Sequence, residues 1–244
     1  MNLILVGASA GLGRALADKL AAAGHNLLLV ASNKEDLDAL AADLQIRHQV
    51  KAITAAWRLK ADKESVEKVQ FAAKEFAQID GLLFPIGYSQ SDDDGSLQAL
   101  DIERIVDSNL SVIMALTAVY LPEIIQRGAG LLVFFGSVAA ERGRSSNIAY
   151  AAAKRGLLSF YESIRHRCAS TDVRVQYYQL GYLKTAQTLG KKLPFPAADP
   201  ADAAAHIVSR LKSGSFFSYY PGFWCLICLA LRLTPWFIFK KLKF

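Results

Sequence analysis

Short apolar runs alternate with amphipathic stretches along almost the whole chain, and this alternation restricts the fold more than any other feature. The segments LILVG (3–7), LLLVA (27–31), VKAITAA (50–56), GLLFPIG (81–87), LLVFFG (131–136) and VRVQYYQL (173–180) have the length and composition of buried strands. Between them, GRALADKLAAAG, KEDLDALAADL, ESVEKVQFAAKEFA, IERIVDSNLSVIMALTAVYLPEII and IAYAAAKRGLLSFYESIRHRCA read as helices. Strands that are apolar on both sides and separated by helices form a parallel sheet covered on both faces. The expected fold class is therefore α/β, a doubly wound parallel sheet. At 244 residues the chain fits one such domain, with no internal repeat or linker.

The stretch GASAGLG (7–13) joins the first strand to the first helix. Gly7 permits a tight turn, Gly11 admits a close backbone approach to a pyrophosphate, and Gly13 lets helix and strand pack closely. The helix N-terminus adds unpaired N–H groups and a partial positive charge. The spacing is a relative of the dinucleotide-binding fingerprint with shifted glycines, and its place between the first strand and first helix makes a dinucleotide site the expectation. Further along, AYAAAK (149–154) sets Tyr150 and Lys154 four apart, on one face of a helix. A Lys ammonium beside a phenol favours the phenolate and lowers its pKa. Taken alone, such a pair is a common coincidence.

Five motifs in order remove the coincidence. The glycine loop, SNL (108–110), FFGSVAA (134–140), the Tyr150–Lys154 pair and LGYLKT (180–185) follow one another, with Ser137 thirteen residues before Tyr150. From residue 2 to about 220 the chain resembles the short-chain dehydrogenase/reductase family. The resemblance implies a catalytic set of Asn109, Ser137, Tyr150 and Lys154. Tyr150 is then the proton donor in reduction and the base in oxidation, while Ser137 orients and polarises the substrate carbonyl. Lys154 lowers the Tyr150 pKa and holds the nicotinamide ribose, and Asn109 carries a water that links Lys154 to solvent. The implied cofactor contacts are Gly7, Ser9, Gly11, Leu12 and Gly13 in the loop, Gly87 after the fourth strand, Tyr150 and Lys154, and Leu183 and Thr185 in the last motif.

Departures from the family pattern lie on the cofactor side. Val6 replaces the usual Thr, Leu180 the usual Pro, Leu59 the Asp that contacts adenine, and FPIG (84–87) the Asn-Asn-Ala-Gly turn. After the second strand, Ala31-Ser32-Asn33-Lys34 supplies no carboxylate for a ribose 2′-hydroxyl. Ser32, Asn33 and Lys34 suit a 2′-phosphate, which favours NADP(H) over NAD(H).

Charge is placed unevenly. Residues 203–244 hold six Lys and Arg and no acidic residue, which equals the whole net charge of +6. A nucleic-acid-binding face would spread its charge through the fold, so no nucleic-acid partner is expected. The chain divides into a dinucleotide-binding domain, 1–221, which includes the substrate site, and an apolar, basic segment, 222–244. In GFWCLICLALRLTPWFIFKKLKF the uninterrupted apolar run is too short to span a bilayer. Trp224 and Trp236, with Lys240, Lys241 and Lys243, suit an element lying at an anionic lipid surface. Burial between two subunits and a steeply inserted span are the competing expectations. Five apolar residues after Met1-Asn2 are too few for a signal-peptide core. Three cysteines make no disulfide framework, and four scattered histidines give no metal site. The acidic SDDDG (91–95) reads as a solvated turn. Together these features lead to an NADP(H)-dependent carbonyl reductase or alcohol dehydrogenase acting on a lipophilic or lipid-linked substrate. The expected location is cytoplasmic, peripherally attached to the inner face of a membrane, with a homo-oligomer possible. The alternative is a membrane-tethered dinucleotide-binding scaffold without turnover.

Overall fold

The structure, a computed structural model, describes residues 1–58, 60–186, 188–190 and 193–242. Leu59 and Lys243, both invoked above, lie outside the described residues. β1 (Asn2–Val6) leads into α1 (Gly11–Ala22), β2 (Asn26–Ala31), α2 (Lys34–His48), β3 (Ala52–Ala56), α3 (Lys63–Ala73) and β4 (Gly81–Phe84). A long helix then runs as α4 (Ala99–Val106), a π turn (Asp107–Ser111) and α5 (Val112–Arg127). It is followed by β5 (Ala129–Ser137), α6 (Ile148–Arg167) and β6 (Asp172–Leu180). The remaining elements are α7 (Pro200–Ser209), β7 (Phe216–Tyr220), α8 (Trp224–Leu233) and α9 (Trp236–Phe239).

All seven strands pair in parallel, in the order β3-β2-β1-β4-β5-β6-β7. Alternate strand residues supply the two cores. Leu3, Leu5, Leu27, Leu29 and Val133 face α1, α2 and α7, whereas Ile4, Val6, Leu28, Val30 and Phe134 face α3, α5 and α6. The strand order reverses between β1 and β4, which opens a crevice at the carboxyl ends of the strands, the usual ligand position in such sheets. The expected Rossmann-type architecture is therefore present. β7 was not among the strands read from the sequence. Its FFSYY residues are all half buried, so they give neither a continuous buried run nor alternation between buried and exposed positions.

The continuous helix Ala99–Arg127 is long and apolar enough to cross a membrane by length and composition. Ile105, Val112, Ile113, Leu116 and Ile124 are nevertheless buried, and most of them join the α5–α6 core. At the other end of the chain, α8 folds back onto the domain. Trp224, Ile227, Cys228 and Leu231 form a stripe at helical spacing that is buried or half buried, and Leu226, Leu229 and Leu233 point outward.

Candidate active site

The glycine loop meets the strand ends in a conformation that needs its glycines. Gly7 has φ +95°, and a Cβ there would lie 2.6 Å from the Ile86 Cα. A Cβ on Gly13 would collide with the Gly7 carbonyl. Ala10, the N-cap of α1, offers no side-chain hydrogen bond, and the first turn carries no acidic residue. The leading N–H groups of α1 thus face an open cleft of ≈ 1280 Å³ without an internal cap. This is what a pyrophosphate requires of a helix end. Ser9, Gly11 and Leu12 line the same cleft. Thr185 approaches from the far side, its Cγ2 lying 3.2 Å from where a Gly11 Cβ would be. Leu183, paired with Ala198 by an isolated bridge, belongs to the same wall.

At the other end of the cleft, Ser137 closes β5, and its Oγ accepts from the Ala139 N–H at 3.2 Å, starting a short 3₁₀ turn. The Ser137 hydroxyl is also the side-chain group that acts on the Tyr150 phenol, drawing its pKa down. Lys154 lies one turn further along α6, on its buried face. Its Nζ donates to the Phe135 carbonyl at 3.0 Å and reaches the Ile86 carbonyl at 3.5 Å. The electrostatics differ from the sequence expectation. Burial raises the Tyr150 pKa, and the opposing influence is the Ser137 hydroxyl rather than Lys154. Lys154 is itself brought down to about 7 by burial, so near neutrality it carries only part of a charge.

Asn109 does not line the cleft but sits behind it, fully buried in the π turn. Its Nδ2 donates to the Tyr88 and Ile105 carbonyls at 2.6 and 2.8 Å, and its Oδ1 has no partner among the described residues. A Cβ on Gly87 would stand 3.2 Å from that Oδ1 and 3.8 Å from Lys154 Nζ. Glycine there leaves both polar groups open toward one point.

The loop read as a solvated acidic turn has a different role. Asp93 is buried, and its two carboxylate oxygens accept from the Ala149 and Tyr150 N–H groups, each at 2.9 Å. It caps α6, whose own N-cap residue, Asn147, has φ +57° and makes no side-chain cap. No local pattern signals this cap, because it comes from a loop more than fifty residues away.

At the adenosine end the residues expected to meet a 2′-phosphate divide. Ser32 lines the cleft, but Asn33 and Lys34 do not. Asn33 Oδ1 accepts from the Asp36 N–H at 3.2 Å as the N-cap of α2, and Lys34 pairs with Asp38 one turn on. The cation that lines this end is Arg58, beside Trp57, a residue the sequence reading passed over. Position relative to the end of β3 was the one available signal.

The glycine cradle and the uncapped helix end fit a dinucleotide, and the Ser137–Tyr150–Lys154 group lies where the same cleft reaches the carboxyl ends of β5 and β6. Comparison with known proteins agrees. The sequence profile of the short chain dehydrogenase family matches residues 2–192. An uncharacterised oxidoreductase of Mycobacterium tuberculosis is 30% identical over 214 residues, covering 86% of this chain and 84% of that protein. The 3-oxoacyl-[acyl-carrier-protein] reductase of Escherichia coli K12 is 28% identical over 189 residues, covering 76% and 74%. The solved short-chain dehydrogenase from Sphingobium yanoikuyae, in complex with NADPH, superposes with a TM-score of 0.83 at 24% identity, covering 99% and 96%. The chain belongs to the short-chain dehydrogenase/reductase family and is an NAD(P)-dependent oxidoreductase.

Proposed function

We propose that the protein is an NADP(H)-dependent carbonyl reductase, or alcohol dehydrogenase in the reverse direction, acting on a lipophilic substrate at a membrane surface. The observation that carries this reading is that Ser137, Tyr150 and Lys154, the last two one helical turn apart on α6, line the same cleft that begins at the glycine loop. NADP(H), held by the glycine loop, Gly87, Leu183 and Thr185, supplies the hydride. Tyr150 gives its proton to the carbonyl oxygen in reduction and takes it back in oxidation. Ser137 donates to the same oxygen as negative charge develops on it. Lys154 holds the ribose hydroxyls and refills Tyr150 with protons, a task suited to an amine whose pKa lies at about 7. The open Asn109 Oδ1 fixes the water through which Lys154 reaches solvent.

The preference for NADP(H) rests on Ser32 and Arg58 in the cleft and on the lack of a carboxylate after β2. The membrane surface is inferred from the outward face of α8 and α9, where Leu226, Leu229, Leu233, Trp236 and Phe237 are exposed beside Lys240 and Lys241. The lipophilic substrate follows from position: Trp224 of α8 packs on Tyr182, which lines the cleft. The protein then works on the cytoplasmic face of that membrane.

A fluorescence titration with both nucleotides, followed by a carbonyl screen, tests the reading. NADPH should bind about tenfold more tightly than NADH or better, a difference of ~1.4 kcal/mol or more. Tyr150→Phe should lower turnover at least ~10²-fold with nucleotide affinity kept. Equal affinities would remove the NADP(H) preference. Failure to bind either nucleotide would leave a non-catalytic scaffold as the better account.

A further inference from the structure

Beyond the family's catalytic set, a buried polar chain leads from the C-terminal segment to Ser137. Glu141 lies four residues after Ser137, at the end of the 3₁₀ turn that Ser137 begins. Its side chain is 1% exposed. One carboxylate oxygen pairs with Nε of Arg232, from the last turn of α8. The other accepts from the Tyr219 hydroxyl at 3.3 Å and faces Gln179 Nε2 at 3.5 Å. Gln179 Nε2 in turn donates to the Ser137 carbonyl at 2.7 Å. A Cβ on Gly136 would collide with the Tyr177 hydroxyl and Gln179 Oε1, so the residue before Ser137 must be glycine for this chain to form. The same helix is fastened at its other end, where the Trp224 indole fills the space in which a Gly181 side chain would stand.

A carboxylate this deeply buried requires a counter-charge, and donors alone do not replace one. Tyr219 contributes a hydrogen bond and Cys228 lies nearby, and burial keeps both neutral. Arg142, Arg144 and Arg155 line a small cavity beside Glu141. Arg142 is engaged elsewhere, donating to the Leu231 and Thr234 carbonyls and lying over the Phe239 ring. Arg232, from the segment outside the sheet, contacts the carboxylate directly.

We propose that Arg232 and Glu141 are positioning residues: a latch by which the docked C-terminal segment holds the Ser137 turn in its working geometry. Without Arg232 the buried Glu141 carboxylate loses the counter-charge that contacts it and must draw in water. That loosens the link through Gln179 to the Ser137 carbonyl and the turn that aims the Ser137 hydroxyl. The catalytic part of this inference rests on the reductase reading; the structural part does not.

The test uses the full chain and four variants: Arg232→Gln, Arg232→Lys, Glu141→Gln and the double variant Glu141→Gln/Arg232→Gln. Hydrogen exchange read by mass spectrometry reports the amides of residues 138–141, independently of turnover. In Arg232→Gln these amides should exchange at least ~10-fold faster, while those of β1, α1 and the glycine loop keep their rates and NADPH affinity is unchanged. Arg232→Lys and the double variant should restore protection, the first by returning the charge and the second by removing the need for it. Glu141→Gln alone should stay close to the parent. With NADPH and ethyl acetoacetate as probe, kcat of Arg232→Gln should fall ~10-fold with KM for NADPH unchanged. Unchanged exchange at 138–141 in Arg232→Gln, no rescue by the double variant, or faster exchange throughout the chain would each overturn the latch. If the parent protein does not reduce the probe, the exchange data still decide the latch, and only the substrate reading is affected.

Discussion

Lys154 places an ammonium group where the sheet ends meet α6, 3% exposed and held by two backbone carbonyls. Its pKa falls from 10.5 to about 7, so the folded protein releases a proton that the unfolded chain still binds between those values. Below about 7 both states are protonated, and the full cost of burying the charge is present. Above 10.5 both are neutral and that cost is gone, so this group makes stability rise with pH across the interval. At ~1.4 kcal/mol per pKa unit the penalty at low pH amounts to several kcal/mol. Lys154→Met should therefore melt higher than the parent near pH 7, lose that advantage as pH approaches 10.5, and have no reductase activity. Thermal unfolding at the two ends of the interval checks this. An equal gain at both pH values would mean that packing, and not the buried charge, sets the difference. That Tyr150 and Lys154 lie together was legible from spacing, because residues four apart on a helix share a face whatever surrounds them. Ser137, at the end of β5, came only from the family resemblance. The proton affinities of Tyr150 and Lys154 were not legible, because these depend on burial, which spacing does not carry. At Asn33 and Lys34 one pattern carries two meanings: Asn followed by Lys-Glu-Asp suits a phosphate and is also the ordinary start of a helix, and here Asn33 caps α2.

At the scale of elements, the strand–helix alternation gave six of seven strands, and the glycine loop marked the β1–α1 turn. What spacing could not provide was support arriving from distant segments. Asp93 caps the helix that bears Tyr150, and Arg232 reaches Glu141; both contacts join residues that only the fold brings together. A carboxylate accepting two N–H bonds at a helix start adds charge-assisted hydrogen bonds to a favourable interaction with the helix dipole. Asp93→Ala should cost about 1–3 kcal/mol in a urea unfolding experiment, because it leaves two N–H groups of α6 without their acceptor. It should also lower kcat more than it raises KM for NADPH, since the Tyr150 backbone loses its anchor while the glycine loop is untouched. Asp93→Asn should recover about half of the stability, keeping one acceptor oxygen but not the charge. A variant as stable as the parent would show that the α6 N-terminus holds its place without the loop.

For the molecule as a whole, the C-terminal segment is neither a detached tail nor a spanning helix. α8 has ten residues, ~15 Å of helix against a hydrocarbon thickness of ~30 Å. Its inner stripe is occupied by the domain, which leaves the outer stripe and α9 to explain. Leu226 is 72% exposed, Leu233 73% and Trp236 66%, an apolar surface that a soluble monomer has no use for. Lys240 and Lys241 follow it, and residues 203–244 contain no acid to repel an anionic surface. Since the inner stripe is separate, replacing Leu226, Leu229 and Leu233 with Gln should spare the docking of Trp224 and Arg232. The full chain should sediment with vesicles containing phosphatidylserine. Each Lys near such a surface contributes ~1 kcal/mol and is screened by salt, whereas the apolar contribution persists. High salt should therefore release part of the protein and detergent all of it. The triple Gln variant should remain in the supernatant while binding NADPH with parental affinity. If instead a second copy covers this face, the parent will stay in the supernatant as a dimer, and the variant will become a monomer. That outcome would remove the membrane assignment, and with it the argument for a lipophilic substrate, while leaving the oxidoreductase site intact.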